Sequence, residues 1–390
     1  MQFRDHVEHA IRRWHAFEEA QGSAPVIDYD CAPPNQPVDP YPDRFTALDE
    51  LVELRSQADD DTALTDQLDA HTTYLRALLG EQTPLDDYVQ RTQRCSARGW
   101  SPDYVYHRGD LARSALGALS IAWDVHTWRR LRELEENSSP AADSSAEDPS
   151  AAIREFADKF EPAVRKLTGT SAKFNLSIEN VKVDAYWSYW LDGVGRDARL
   201  RINLANASFT SNDAYRFALH EVLGHALQYA SLVDHAESHE VDWPRLLCVH
   251  CPHQVLFEGL GQVLPLIADP DNELVRTRVR LDHYLQLVRA ELHVLINNGD
   301  SATACRDHAL HRVPFWGDVA IARDLFDRSL NPQLRTYLWA YPAGIDWFVN
   351  LHEAGGTRAA EVLHEAYKRP LDPSELRALW PAGPAIGGNR

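Results

Sequence analysis

Apolar residues recur at three- and four-residue intervals through most of this chain, and one block of strand formers breaks the rhythm. The helical spacing runs through FTALDELVELRSQ, YLRALLG and DLARSALGALSIAWDVHTWRRLREL, each with one apolar stripe at a 3.6-residue period. The first twenty residues read as an amphipathic helix. A Pro-rich crossing from Ala24 to Arg44 follows as irregular chain, and from Phe45 to about Glu135 the pattern is helical. AIREFADKFEPAVRKLTG is a helix ending at Gly169, and the chain from Pro252 onward is again mostly helical. The exception is VKVDAYWSYW and ARLRINL, two strand-forming runs around the Gly-bearing turn LDGVGRD. In the second run Leu200, Ile202 and Leu204 alternate with Arg199, Arg201 and Asn203, as on a half-buried strand. The expected fold is therefore mainly α, α+β by strict count, with a small antiparallel β-ribbon.

ENSSPAADSSAEDPSAA, Glu136 to Ala152, is small, polar and acidic, and reads as a flexible linker or mobile loop. It divides an N-terminal helical region, 1–135, from a region, 153–390, that carries the chemistry. A hydrophobic content of 44%, with 11 Trp, 14 Tyr and 12 Phe, supplies a sizeable core and excludes global disorder. A formal charge of −19 repels phosphate backbones, so no nucleic-acid partner is expected. MQFRDHVEHAIRRWHAFEEA has no apolar segment of the kind a signal peptide needs, and no run approaches the ~20 apolar residues of a membrane span. The five cysteines (Cys31, Cys95, Cys248, Cys251 and Cys305) are scattered and odd in number. A reducing cytoplasm and no membrane partner are the expectation.

The chemistry concentrates in ASFTSNDAYRFALHEVLGHALQYASLV, a long helix started by a capping box at Thr210 and Asp213, with Asn212 an alternative cap. Within it lies His220-Glu221-Val222-Leu223-Gly224-His225. Two imidazoles and a carboxylate on one helix are what a catalytic zinc site uses: two neutral nitrogen ligands and a general base, Glu221. The usual HExxH spacing returns the second His after about 400° of rotation. The additional residue here sets the rings about 140° apart on an ideal α-helix, too far to share an ion. A π-bulge absorbs one inserted residue, and Gly224 sits where backbone freedom helps. The competing reading is a surface helix with two unrelated histidines.

A third ligand is expected from a later helix. Glu258 in VLFEGLGQVLPLI is a carboxylate in an otherwise apolar helix, costly to bury unless a cation or hydrogen bonds satisfy it. The bland alternative pairs it with an Arg or turns it to solvent. Glu240, His239 and His235 in DHAESHEVDW are the runners-up, in what reads as a solvated loop. An extended peptide substrate would lie by β-augmentation along an edge strand just before the motif helix, where ARLRINL falls.

HEVLGH resembles the HELLGH motif of the dipeptidyl peptidase III family, including the additional residue and the Gly before the second His. Over the final two-thirds of the chain, the order HEVLGHALQ, FEGLGQ, YPAG is similar to a bacterial family of helical zinc peptidases. That family carries HExxPGHHxQ, then EGWALY, then Tyr-x-x-Gly, with Gln228 among the matches. This chain lacks the Pro before Gly-His and reduces EGWALY to EGLGQ. The resemblance implies a gluzincin-like site holding Zn2+ on His220, His225 and Glu258. It further implies hydrolysis of a peptide or small amide substrate, and a hydrogen bond from Tyr341 to the tetrahedral oxyanion, with Tyr337 the fallback. Arg335 could bind a substrate carboxylate, against the plainer reading of a surface ion pair.

Two rivals remain on the sequence. Two His and one carboxylate also describe the facial triad of a non-haem Fe(II) oxygenase, and the degenerate EGLGQ fits a helical binding protein that has lost catalysis. Separately, Cys248-Val-His-Cys251-Pro-His253 looks like half a zinc finger or a redox CxxC. With no second CxxC in the chain, the expectation is two buried thiols packed near the Glu258 helix.

Overall fold

The computed structural model describes residues 2–58, 62–137, 149–183, 188–205 and 209–389. The fold is mainly α with a small sheet, α+β by strict count. Helix starts follow local chemistry. Ser101, Asn331 and Asp372 each accept a backbone N–H of the first turn, and each is followed by a proline whose missing N–H costs nothing there. Thr210 and Asp213 form the expected capping box. The Pro149–Thr168 helix stops at Gly169, whose φ of +75° suits a residue without a Cβ. That helix begins inside the segment expected to be a linker, of which 138–148 lies outside the described residues.

The five strands are β1 (Tyr29–Asp30), β2 (Asn175–Val181), β3 (Tyr189–Val194), β4 (Asp197–Asn203) and β5 (Leu246–Leu247), in the order β2-β4-β3-β1-β5. Of the expected first run, Val181 ends β2, 184–187 lie outside the described residues, and Tyr189 and Trp190 open β3, which pairs with β4 as an antiparallel hairpin in register from Tyr189↔Ile202 to Val194↔Asp197. It is the middle of a mixed sheet rather than a free ribbon. β2 pairs with β4 in parallel, and β1 is parallel to β3 and antiparallel to β5. β1 and β5 are two residues long, too short to show alternation in a sequence. The turn is tighter than expected: Leu191–Val194 belongs to β3, and Gly195, at φ +55°, turns the chain. Leu200 and Ile202 are buried as expected. Asn203 is buried too, against the expected outward position, because its amide holds the backbone of Val183 (N–H 3.2 Å, C=O 3.0 Å).

One core gathers Val7, Trp14, Leu51, Leu68 and other early residues with Leu246, Cys248 and Cys251. A larger one joins the helices after Leu85 to the sheet, the motif helix and the C-terminal helices. Buried Asp346 ties three helices together, accepting from Trp100 Nε1 (2.8 Å), Tyr104 OH (2.6 Å) and His283 Nε2 (2.8 Å). Glu135 fixes the start of the motif helix, accepting from Asn212 Nδ2 (2.9 Å) and Arg278 Nη1 (2.6 Å). Among the described residues, no helix is long and apolar enough to cross a membrane.

Candidate metal centre

The motif helix changes its winding at the two histidines. Ser211–Phe217 is α-helical, Ala218–Ala226 is π-helical, and Leu227–Ser238 is α-helical again. The Leu227 N–H reaches back five residues to the Val222 carbonyl. The Leu223 carbonyl, which an α-helix would pair with Leu227, accepts the Tyr367 hydroxyl at 2.5 Å. Hydrogen bonding from i to i+5 brings residues five apart to one face. The His220 and His225 rings accordingly meet edge to face, with centroids 4.7 Å apart and planes at 87°.

Glu258 arrives from the Gln254–Ala268 helix. Donor atoms of His220, His225 and Glu258 all lie within 4.8 Å of one another, and His220 Nε2 is 3.5 Å from Glu258 Oε2. Two glycines allow the approach. A Cβ at Gly261 would stand 3.0 Å from the His220 ring, and one at Gly224 would stand 3.2 Å from the Gly261 α carbon. A Cβ at Gly224 would also stand 2.9 Å from the Leu219 carbonyl oxygen of its own π-wound segment, so glycine there serves the winding as well as the helix crossing. Gly259 plays the same part on the other side of its helix, against Gly344 of Pro332–Ala354. The reduction of EGWALY to EGLGQ is thus matched by two helix crossings.

Tyr337 and Tyr341 come from that last helix. Tyr337 donates its hydroxyl to Glu258 Oε1 and lies 3.0 Å from the Tyr341 hydroxyl. The fallback tyrosine is therefore engaged with the candidate ligand, and Tyr341 is the hydroxyl beyond it. Glu221 sits at the same face, its Oε1 3.6 Å from His220 Nε2.

The electrostatics suit a cation. Among the described residues, buried His225 Nδ1 has no hydrogen-bond partner and Glu258 Oε2 has only the 3.5 Å contact with His220 Nε2, an expensive arrangement unless a cation completes it. Burial, reinforced by His220, pushes His225 down to about 3, which keeps it neutral as a ligand must be. Burial opposes the charge on Glu258, yet His220 and the other nearby donors hold its carboxylate below the usual range. Burial, with Glu258 adding and His220 opposing, pushes Glu221 up to about 7, where a general base is effective. The donor set fits a three-ligand zinc site with an open side.

That open side is a cleft of about 810 Å³. Glu221, His225, Glu258 and Tyr341 line it together with Tyr189–Leu191, Asp324 and Asp327. β4, where the sequence placed a substrate strand, is paired on both sides and cannot receive one. β3 can. Asn203 N–H bonds Ser188 O, so alternation turns the amides of Tyr189 and Leu191 away from β4. β1 pairs only with Gly193 and Val194, which leaves that edge open along the cleft among the described residues.

Other candidates fall elsewhere. Glu240 accepts the Gln2 amide at 2.7 Å, and the His235 and His239 rings contact each other away from the trio. Arg335 binds Asn297 Oδ1 and the Thr83 carbonyl, both at 2.7 Å, and spans the Tyr88 ring; among the described residues it neither lines the cleft nor forms an ion pair. Asp28, which the sequence did not single out, lines the cleft with a buried oxygen lacking a partner among the described residues.

No protein-family model and no curated protein matches this chain. Among solved structures it is similar to one described as "the putative lipoprotein from Colwellia psychrerythraea", with 14% identity and a TM-score of 0.54. The match covers 86% of this chain and 59% of that one. At that identity the likeness shows the fold alone.

Proposed function

We propose that this chain is a zinc-dependent hydrolase of a peptide or peptide-like amide bond. The observation that carries the reading is the convergence of His220, His225 and Glu258, achieved by π-helical winding where α-helical winding would part the rings. Zinc on that trio would supply Lewis-acid polarisation of the scissile carbonyl and a water of pKa about 7. Glu221 takes the proton of the attacking water and passes it to the leaving nitrogen. Tyr341 donates to the oxyanion, while Tyr337 keeps Glu258 oriented. The open edge of β3 receives an extended substrate backbone beside Glu221.

The same donors would serve an Fe(II) oxygenase, but Glu221, buried beside the trio with its Oε1 3.6 Å from His220 Nε2, has a task only in hydrolysis. A binding protein without catalysis has no need of that base either. Five buried, unpaired cysteines support a reducing cytoplasm as the compartment. The test is turnover of an amide and peptide panel by the full chain before and after chelation. Cleavage that stops with the chelator and returns with zinc is expected. Chelator-insensitive cleavage, or none across the panel by zinc-loaded protein, overturns the reading.

A further inference from the structure

A second set of soft donors meets in the N-terminal core. Cys248 and Cys251 bracket a turn closed by the Cys251 N–H on the Cys248 carbonyl (3.2 Å), between β5 and the Glu258 helix. His71 reaches this turn from Thr62–Leu78, far away in sequence. Its Nε2 lies 3.9 Å from Cys251 Sγ, and its Nδ1 lies 2.8 Å from His250 Nε2. One donor atom each from His71, His250 and Cys251 falls within 4.8 Å of the others, the spacing also found in the Glu258 trio.

The setting is closed. His71, Cys248, His250 and Cys251 are all 0% exposed. Trp14 packs on both imidazoles, and Tyr74 stacks on His250 at 4.2 Å. His250 Nδ1 is buried with no hydrogen-bond partner among the described residues. An apolar core gains nothing from an unsatisfied imidazole beside two thiols unless something joins them.

We propose that His71, His250 and Cys251 form a buried structural site for a thiolate-binding ion of the zinc class. Two imidazole nitrogens and one thiolate sulfur are donors that such an ion takes, and full burial leaves no path for a substrate. Binding displaces the Cys251 thiol proton to solvent. The ion would staple the early helices to the turn that launches the Glu258 helix, so that the N-terminal core fixes where Glu258 enters the catalytic face. The inference does not depend on hydrolysis.

Cobalt titration of metal-free full-length protein tests it, because only a sulfur-ligated cobalt gives an intense near-ultraviolet charge-transfer band. The band is expected in the parent and in His225→Ala, and is expected to vanish in Cys251→Ser and weaken in His71→Ala. Cobalt bound by the parent without that band overturns the site, as does a Cys248–Cys251 disulfide in freshly purified protein. Neither result touches the His220, His225 and Glu258 trio, which has no sulfur.

Discussion

Gly259 and Gly344 meet where the Glu258 helix crosses the helix of Tyr337 and Tyr341: a Cβ at Gly259 would lie 2.5 Å from the Gly344 α carbon. With Gly224 against Gly261 on the opposite side, these contacts set the distance between three helices that bear the candidate ligands, base and tyrosines.

Gly259→Ala has backbone on the far side and no side chain to move. It is expected to lose about 1–3 kcal/mol of stability by overpacking, read as a lower midpoint in urea. Gly117→Ala is the control, since a Cβ at that helical position meets nothing within 4 Å. It is expected to gain roughly 0.5–1 kcal/mol. Equal effects of the two changes would remove the argument for close helix crossing.

The two tyrosines are expected to separate experimentally. Tyr337→Phe deletes the hydrogen bond to Glu258 Oε1 and should weaken zinc about 10–100-fold. Tyr341→Phe should leave zinc affinity nearly intact and lower kcat about 100–1000-fold. Competition with a chromophoric chelator and steady-state kinetics read the two effects. Identical profiles would mean that the roles are not divided as described.

Glu221→Gln is nearly isosteric and is expected to keep its zinc while losing about 100–10,000-fold in kcat. Turnover at the parental rate would exclude Glu221 as the base.

Acid is expected to loosen the N-terminal core. Burial opposes the charge on Glu18, but Arg44, at 2.8 Å from both carboxylate oxygens, and Trp14 Nε1, at 3.0 Å, hold its carboxylate below the usual range. A depressed carboxylate contributes stability that is fully present above the ordinary Glu value of about 4.3 and is lost as pH falls through the lower folded value. Glu18→Gln should therefore flatten the fall of Tm below about pH 4.3 and leave the neutral range without added pH dependence. An unchanged acid limb would contradict the linkage.

Much of the candidate site was legible in the sequence because its chemistry is local. HEVLGH carries two ligands and a base within six letters, and Glu258 stands out as a carboxylate among apolar neighbours. A π-bulge was legible as the winding that the five-residue spacing needs if both rings are to share an ion, with two unrelated histidines on an ordinary helix the alternative. What decides the division between Tyr337 and Tyr341 is a hydrogen bond across two helices, and both residues lie on the same face at i and i+4. Asp28 was illegible because it sits in a Pro-rich crossing and reaches the cleft only through tertiary packing. The glycines of EGLGQ read as decay of a motif, since the residues they face, His220 and Gly344, are far away in sequence. The sheet was half legible: β4 alternates, whereas β1 and β5 are too short to alternate, and which edge stays open depends on pairing order.

The central claim concerns one ion and three side chains. Anomalous diffraction at the zinc edge, from crystals of protein purified without added metal and then supplied with zinc, addresses it directly. The account predicts a peak in contact with His220, His225 and Glu258 together. Imidazoles turned away from each other, or density for zinc that avoids this trio, would contradict it.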